Sequence, residues 1–355
     1  MSKQDEVILS GIRPTGRLHY GNYFGAIKQF VELQEQGLRC YYFIADYHAL
    51  TTARERVDYF RYTLDMLRTY VACGLDPTRS IVYRQSDVAC TAELALLLGM
   101  VAHVGLLERG TTYKDTASKL PGGTTRGPEG NPISYGLLGY PVLMAADILI
   151  VRADKVPVGD DQRQHVEMAI DIAEKFNRRF RTDVLKIPEP VERNALRLPG
   201  LDGAAKMGKS DNNDLGLLDD EKTVLKKIKA VQTTTDPTPI QGDSDDPDDV
   251  IPQMPPSVGA LYRLLSLLAP REVYLDFVAK FRRGEKFYGL LKTTLSEYVS
   301  GFNAPIIEGF NAPQNDDESV KEFLAENAKK VTPVALETVE TCREAIGIGR
   351  SLYRA

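Results

Sequence analysis

With 355 residues, 43% of them hydrophobic and 26% charged, the chain is too long for one small core and fits one large or two moderate soluble domains. A formal net charge of -5 supplies no overall basic field, so any nucleic-acid contact must use local patches. No apolar run is long enough to span a bilayer, and the polar start Met1 to Glu6 predicts no secretory signal. Cys40, Cys73, Cys90 and Cys342 form no CxxC pair, which predicts reduced thiols in a cytosolic protein rather than a metal site or disulfide frame.

Val7-Ile8-Leu9 reads as a short buried strand. It runs through a turn with Gly11, Pro14 and Gly16 to His19, Gly21 and Asn22 at the mouth of an amphipathic helix. Free backbone N–H groups and the positive end of a helix dipole point the same way there, which suits a phosphate. The plainer reading is an ordinary strand–turn–helix connection with His19 on the surface. Phe24, Ile27, Phe30, Val31 and Leu33 stripe the helix, and Gly37 closes it. Cys40 to Ala45 is a continuous apolar run, as expected of a strand covered on both faces. Asp46, Tyr47 and His48 stand at its carboxyl end.

Phe60, Leu64, Leu67 and Val71 predict a second helix, ended by Gly74 and Pro77, and Ile81 to Tyr83 a third strand. This alternation implies parallel βαβ units, so the loop after Leu9 and the Asp46-Tyr47-His48 segment belong to one ligand-binding rim. Thr91 to Leu107 reads as helix, Lys119 to Pro132 as a mobile Gly/Pro-rich loop, and Tyr140 to Ile150 as an apolar helix. Lys155 to Val158 is a further strand, and Gly159 to Gln162 opens the helix carrying Val166, Ile170, Ala173 and Phe176. Asp243 to Asp249 reads as a solvated acidic loop. Leu261 to Leu268, Phe277 to Phe281 and Leu290 to Val299 have helical period, and a final helix is expected to start near Thr332-Pro333 and end near Gly347.

Two separated segments, Pro14 to Asn22 and Lys206-Met207-Gly208-Lys209-Ser210, resemble the HIGH and KMSKS signatures of class I aminoacyl-tRNA synthetases. Between them, Tyr140-Pro141, Met144 to Leu149 and Val156 to Gln162 look like blocks of the tryptophanyl branch, in the right order from Leu9 to Ser210. The resemblance implies an α/β fold: a doubly wound parallel sheet, Rossmann-like, over residues 1–212 with a connective insertion near 86–150. A helical tRNA (anticodon)-binding module over 213–355 would follow. It also implies ATP with Mg2+, L-tryptophan and tRNA(Trp) as partners, and a homodimer. The tyrosyl branch and a nucleotide- or RNA-binding paralogue that charges no tRNA are the competing readings.

Adenylate formation asks the protein to place reactants and neutralise phosphate charge rather than to do covalent work. The resemblance gives His19, Asn22, Lys206 and Lys209 the catalytic roles. It assigns ATP to Arg13, Pro14, Thr15, Gly21, Asn22, Gly159, Asp160, Asp161 and Lys206 to Ser210, including Met207 and Gly208. The two lysines read alone as a solvated turn, and Asp160 or Asp161 as a helix N-cap. Asp147 interrupts an apolar helix and needs a partner, either the indole N–H that the family's matching Asp accepts or an internal ion pair, for instance with Arg152. Met144, Val156 and Val158 would line the indole pocket or belong to the ordinary core. Tyr140 and Gln162 would approach the α-amino group, and His48 would lie beside the substrates or be a satisfied lone histidine. Gly208 replaces the usual Ser of the second signature, Arg13 a common Gln, and Leu9 an aromatic residue; the iron–sulfur cysteine set of some relatives is absent. Lys226-Lys227-Lys229 and Arg282-Arg283-Lys286 are candidate tRNA phosphate contacts or solvated faces.

Overall fold

The computed structural model describes residues 6–53, 55–110, 113–114, 134–192, 196–233, 240–285 and 287–352. The predicted loop from Lys119 to Pro132, and Lys286, lie outside the described residues. Five strands make one sheet among the described residues: β1 Val7–Ile12, β2 Arg39–Ile44, β3 Ile81–Arg84, β4 Lys155–Val158 and β5 Glu189–Glu192. Their order is β3-β2-β1-β4-β5 and every pairing is parallel. Val7 stands opposite Arg39 and Ile12 opposite Ile44, so the carboxyl ends of β1 and β2 finish level.

Side chains alternate across the pleat, and each face of the sheet has its own core. Val7, Leu9, Tyr41, Phe43, Tyr83, Val156 and Val158 enter one buried cluster. Ile8, Tyr42, Ile44 and Val82 enter the other. The first face is covered by helices Cys90–Gly99, Tyr135–Ile150 and Asp160–Phe180, labelled α3, α4 and α5. The second is covered by α1, a run of Tyr20–Asn22, a π-helical turn Tyr23–Ile27 and Lys28–Glu35, and by α2, Tyr59–Ala72. The helices α6 Glu221–Ala230, α7 Pro256–Leu268, α8 Arg271–Arg282 and α9 Tyr288–Asn311 extend that second cluster. The doubly wound class and the helical last third are therefore as expected.

Several expectations about elements need correction. The Thr91 to Leu107 helix divides into α3 and a separate turn Val104–Leu107. The apolar helix α4 starts at Tyr135 rather than Tyr140 and keeps Pro141 inside it. The last helix, α10, spans Asp317–Ile346 and does not start at Thr332-Pro333, because Asp316 already caps it by accepting from Ser319 N–H at 2.9 Å. Pro333 is thus an interior proline, tolerated on a long helix that packing holds in place. The acidic stretch is not all loop: Pro247–Val250 forms a helical turn, and Asp245 and Asp248 pair with Arg282 and Arg263. β5 had no apolar alternation to announce it, and as an edge strand it accommodates Pro190.

Candidate active site

The strand order reverses between β1 and β4, and ligand sites of doubly wound sheets lie beyond the carboxyl ends at such a point. Leaving β1, the chain exposes Arg13 and Thr15, buries Pro14, and turns at Gly16, whose φ of 107° suits glycine. His19 precedes the helix in extended geometry, and its N–H donates to Asn22 Oδ1 at 3.1 Å. The His19 carbonyl accepts from the N–H groups of Asn22 and Tyr23 at 2.8 and 3.1 Å. An added Cβ at Gly21 would stand 2.9 Å from the His19 ring, so glycine here lets that ring keep its place, while Met207 Cβ of the second signature would lie at an ordinary contact distance of 3.5 Å.

The second signature is anchored from both ends. Met207 is buried, donates its N–H to Leu198 O at 3.1 Å, and accepts at its sulfur from Leu215 N–H at 3.4 Å. Gly208 N–H donates to Asn213 Oδ1 at 2.8 Å. The segment just beyond is zipped to the first signature: Tyr20 N–H donates to Leu215 O at 2.9 Å, and Leu217 N–H to Leu18 O at 3.1 Å. Lys209 Nζ comes within 3.4 Å of where a Cβ on Gly16 would lie. A cleft of about 460 Å³ opens here, lined by Thr15, Gly16, Tyr62, Lys209, Asp214 and Lys227 among others. Lys206 is exposed and near enough to His19 to help lower its pKa.

Burial, with help from Lys209 and Lys206 and against Asp214, takes the His19 imidazole down to about 4, so the ring is neutral at pH 7. His19 Nδ1 is buried and has no hydrogen-bond partner among the described residues. Burial also brings Lys209 down to about 8, with Asp214 opposing the fall. Lys227 is not a free tRNA contact: it pairs with Asp219 at 2.7 Å and Asp214 at 3.7 Å. Arg282 and Arg283 likewise hold Asp245 and Glu285, which leaves Lys226 and Lys229 exposed.

A second group gathers beyond β2 and β3. Asp147, 2% exposed, takes His48 Nε2 on Oδ2 at 2.9 Å and Gln85 Nε2 on both oxygens at 2.8 Å. The carboxylate's partners are therefore His48 and Gln85, not Arg152. Burial raises the Asp147 carboxyl above its ordinary range, and the His48 and Gln85 contacts pull it back. Tyr140 places its ring edge-on to His48, and its hydroxyl lies 2.5 Å from His165 Nε2. Met144 is half-buried, while Val156 and Val158 sit in the core cluster with Leu9, Phe43 and Tyr83. Gly159 is the N-cap of α5, so neither Asp160 nor Asp161 holds that position. The side chains of Asp160, Asp161, Gln162 and Ser210 lie outside the described residues.

The predicted residues thus fall into two groups on one rim, His19, Asn22, Lys206 and Lys209 in one and Asp147, His48 and Tyr140 in the other. Gln85 and His165 escaped the sequence reading. The position of Gln85 directly after β3, on the rim that carries His48, was the available signal.

The family described as tRNA synthetases class I (W and Y) matches residues 1–301. The tryptophan–tRNA ligase of Porphyromonas gingivalis is 41% identical over 344 residues, covering 96% of this chain and 99% of that protein. That of Fusobacterium nucleatum is 38% identical over 346 residues, with coverage of 97% and 99%. A crystal structure of tryptophanyl-tRNA synthetase from Campylobacter jejuni, complexed with ADP and tryptophan, superposes with a TM-score of 0.79 at 34% identity, covering 96% and 99% of the two chains.

Proposed function

Because this chain belongs to the class I tRNA synthetases of the W and Y family, we propose that it activates L-tryptophan with ATP and transfers the tryptophanyl group to tRNA(Trp). It is an enzyme of translation, a tryptophan–tRNA ligase. In the first step a carboxylate oxygen of tryptophan bonds to the α-phosphorus of ATP while the bond to pyrophosphate breaks. In the second, a terminal ribose hydroxyl of the tRNA attacks the acyl carbon and AMP leaves.

We assign the triphosphate to the cleft between the two signatures. The observation that carries this reading is the backbone zipper from Leu18 to Leu217, which brings Lys209 beside Gly16. Neutral His19 would act as a hydrogen-bond donor rather than as a cation. Asn22 has spent its amide oxygen on the His19 N–H, which leaves its own N–H groups for phosphate. Lys206 and Lys209 neutralise the departing pyrophosphate. Arg13, Pro14, Thr15 and Gly21 would shape the ATP contact from one side, and Gly159, Asp160, Asp161 and Ser210 from the others. Mg2+ would arrive on the triphosphate oxygens. Asp147 would accept the indole N–H, with His48, Tyr140, Met144, Gln162, Val156 and Val158 around the amino acid.

We further propose a homodimer, supported by the exposed apolar side chains of Leu96, Met100 and Val104, and a cytoplasmic location. No helix among the described residues is long and apolar enough to cross a membrane. The chain contains no tryptophan, so added ligand is the only indole in a sample. Its emission should shift on binding, and adding tyrosine should produce no such response. Tryptophan-dependent pyrophosphate–ATP exchange should follow. Exchange with tyrosine instead, or with no amino acid, would overturn the assignment, and transfer to tRNA tests the second step.

A further inference from the structure

An ionised carboxylate offers about four acceptor positions. On Asp147 three are occupied: His48 Nε2 and Gln85 Nε2 share Oδ2, and Gln85 Nε2 also reaches Oδ1. One position remains, on Oδ1. The Gln85 amide is itself clamped. It is fully buried, and its Oε1 accepts from the N–H groups of Tyr47 at 3.1 Å and His48 at 3.4 Å. With its oxygen held by two backbone donors, the amide nitrogen must face Asp147. Turning it over would set oxygen against carboxylate and nitrogen against two donors.

We propose that Gln85 is the positioning residue of the amino-acid site, holding the Asp147 carboxylate so that one acceptor position is offered to a ring N–H. The proposal rests on the tryptophan reading above. Asp147 is fully buried and lies near another acid, Asp46, both of which disfavour its ionised form. His48 and Gln85 supply the donors that favour it. Without the amide, the carboxylate is free to rotate and to take a proton. A protonated carboxyl is a weaker acceptor and distinguishes a guest with a ring N–H less sharply from one of the same shape without it.

The probe is the pair L-tryptophan and L-3-benzothienylalanine, in which sulfur replaces the indole N–H. Pyrophosphate–ATP exchange is measured with both on the same preparation of wild type and Gln85→Met, so the ratio of kcat/KM values is independent of how much protein is active. The wild type should prefer tryptophan, and Gln85→Met should lose at least tenfold of that preference through a raised KM for tryptophan, with the KM for ATP unchanged. Gln85→Leu, a second variant without the amide, should repeat the result. Equal losses on both amino acids, or a KM for ATP that rises in step, would show a merely structural role and overturn the proposal. A wild type with no tryptophan-dependent exchange would overturn it by removing the tryptophan reading itself.

Discussion

Lys209 has its ammonium brought down to about 8 by burial in the wall of the proposed ATP cleft, while Asp214 holds it from falling further. Its working form against a triphosphate is the cation. As pH rises through about 8 the free enzyme loses that proton, so kcat/KM for ATP should fall across this range; the profile of this parameter reports groups of the free enzyme. Lys209→Arg should stay flat there, since a guanidinium remains charged. Lys209→Ala should lower kcat by about 100-fold or more, the usual scale of one preorganised donor of roughly 3–4 kcal/mol, with little change in the KM for tryptophan. His19 runs the other way: burial keeps it neutral down to about 4, so its ordinary titration near 6.5 should leave no step in the same profile. Steady-state rates from pH 5.5 to 9.5 check both statements. At this scale the sequence was informative where chemistry clashed with its surroundings. Asp147 stood out as an acid in an apolar helix. Gln85 did not, because its place after β3 put it on the rim without saying what it would touch, and its role exists only once β3 lies beside the helix carrying Asp147. Gly208, a departure from the family signature, has an extended backbone that any residue adopts, so no conformational need explains glycine there.

At the scale of elements, the helical third reaches the proposed ATP cleft through Asn303 of α9. Its Nδ2 donates to the carbonyls of Gly216 and Asp219 at 3.1 and 2.9 Å, and its Oδ1 accepts from the Tyr20 hydroxyl at 2.9 Å. One buried amide therefore pins both the helix of the first signature and the segment after the second. Asn303→Ala would leave the Tyr20 hydroxyl only its longer contact to Val299 O at 3.3 Å and take a donor from the Gly216 and Asp219 carbonyls, at up to roughly 1–3 kcal/mol for an unsatisfied buried group. The variant should melt lower and show a KM for ATP raised several-fold, while the KM for tryptophan stays near wild type because Asp147 belongs to a different cluster. A rise in both KM values would contradict this. None of it was legible beforehand. Helical period marked α9 through Leu291, Leu295 and Val299, but periodicity cannot say which polar residue on a buried stripe meets which distant backbone. Pro333 misled for a related reason, since a Thr-Pro pair is a fair start signal locally and tertiary packing carried the helix through it.

Across the whole molecule, one helix joins the cores that lie on either side of the sheet. α10 contributes Val320 and Leu324 to one cluster and Val331, Ala335, Val339 and Cys342 to the other. Between them Asn327, itself buried, donates to the carbonyls of Pro77 and Val82 at the edge strand β3. The alternation of strands and helices made the doubly wound class readable from sequence. It could not reveal that the last helix returns to cover β3, because that contact joins residues some 250 positions apart. Burying a Val or Leu side chain is worth roughly 1.5–3 kcal/mol, so losing Val320, Leu324, Val331 and Val339 together would remove about 6–12 kcal/mol. That is comparable with the ~5–15 kcal/mol that holds a typical domain folded. A chain ending at residue 316 should therefore show no cooperative melting transition and should bind a dye for exposed apolar surface. Leu324→Ala should cost about 2–5 kcal/mol in the full chain and lower one shared melting transition rather than the first of two. We place the functional boundary of the tRNA-binding module at 212/213, but stability should not respect it: if residues 1–212 alone melt cooperatively with wild-type affinity for ATP, the coupling of the two cores through α10 is refuted.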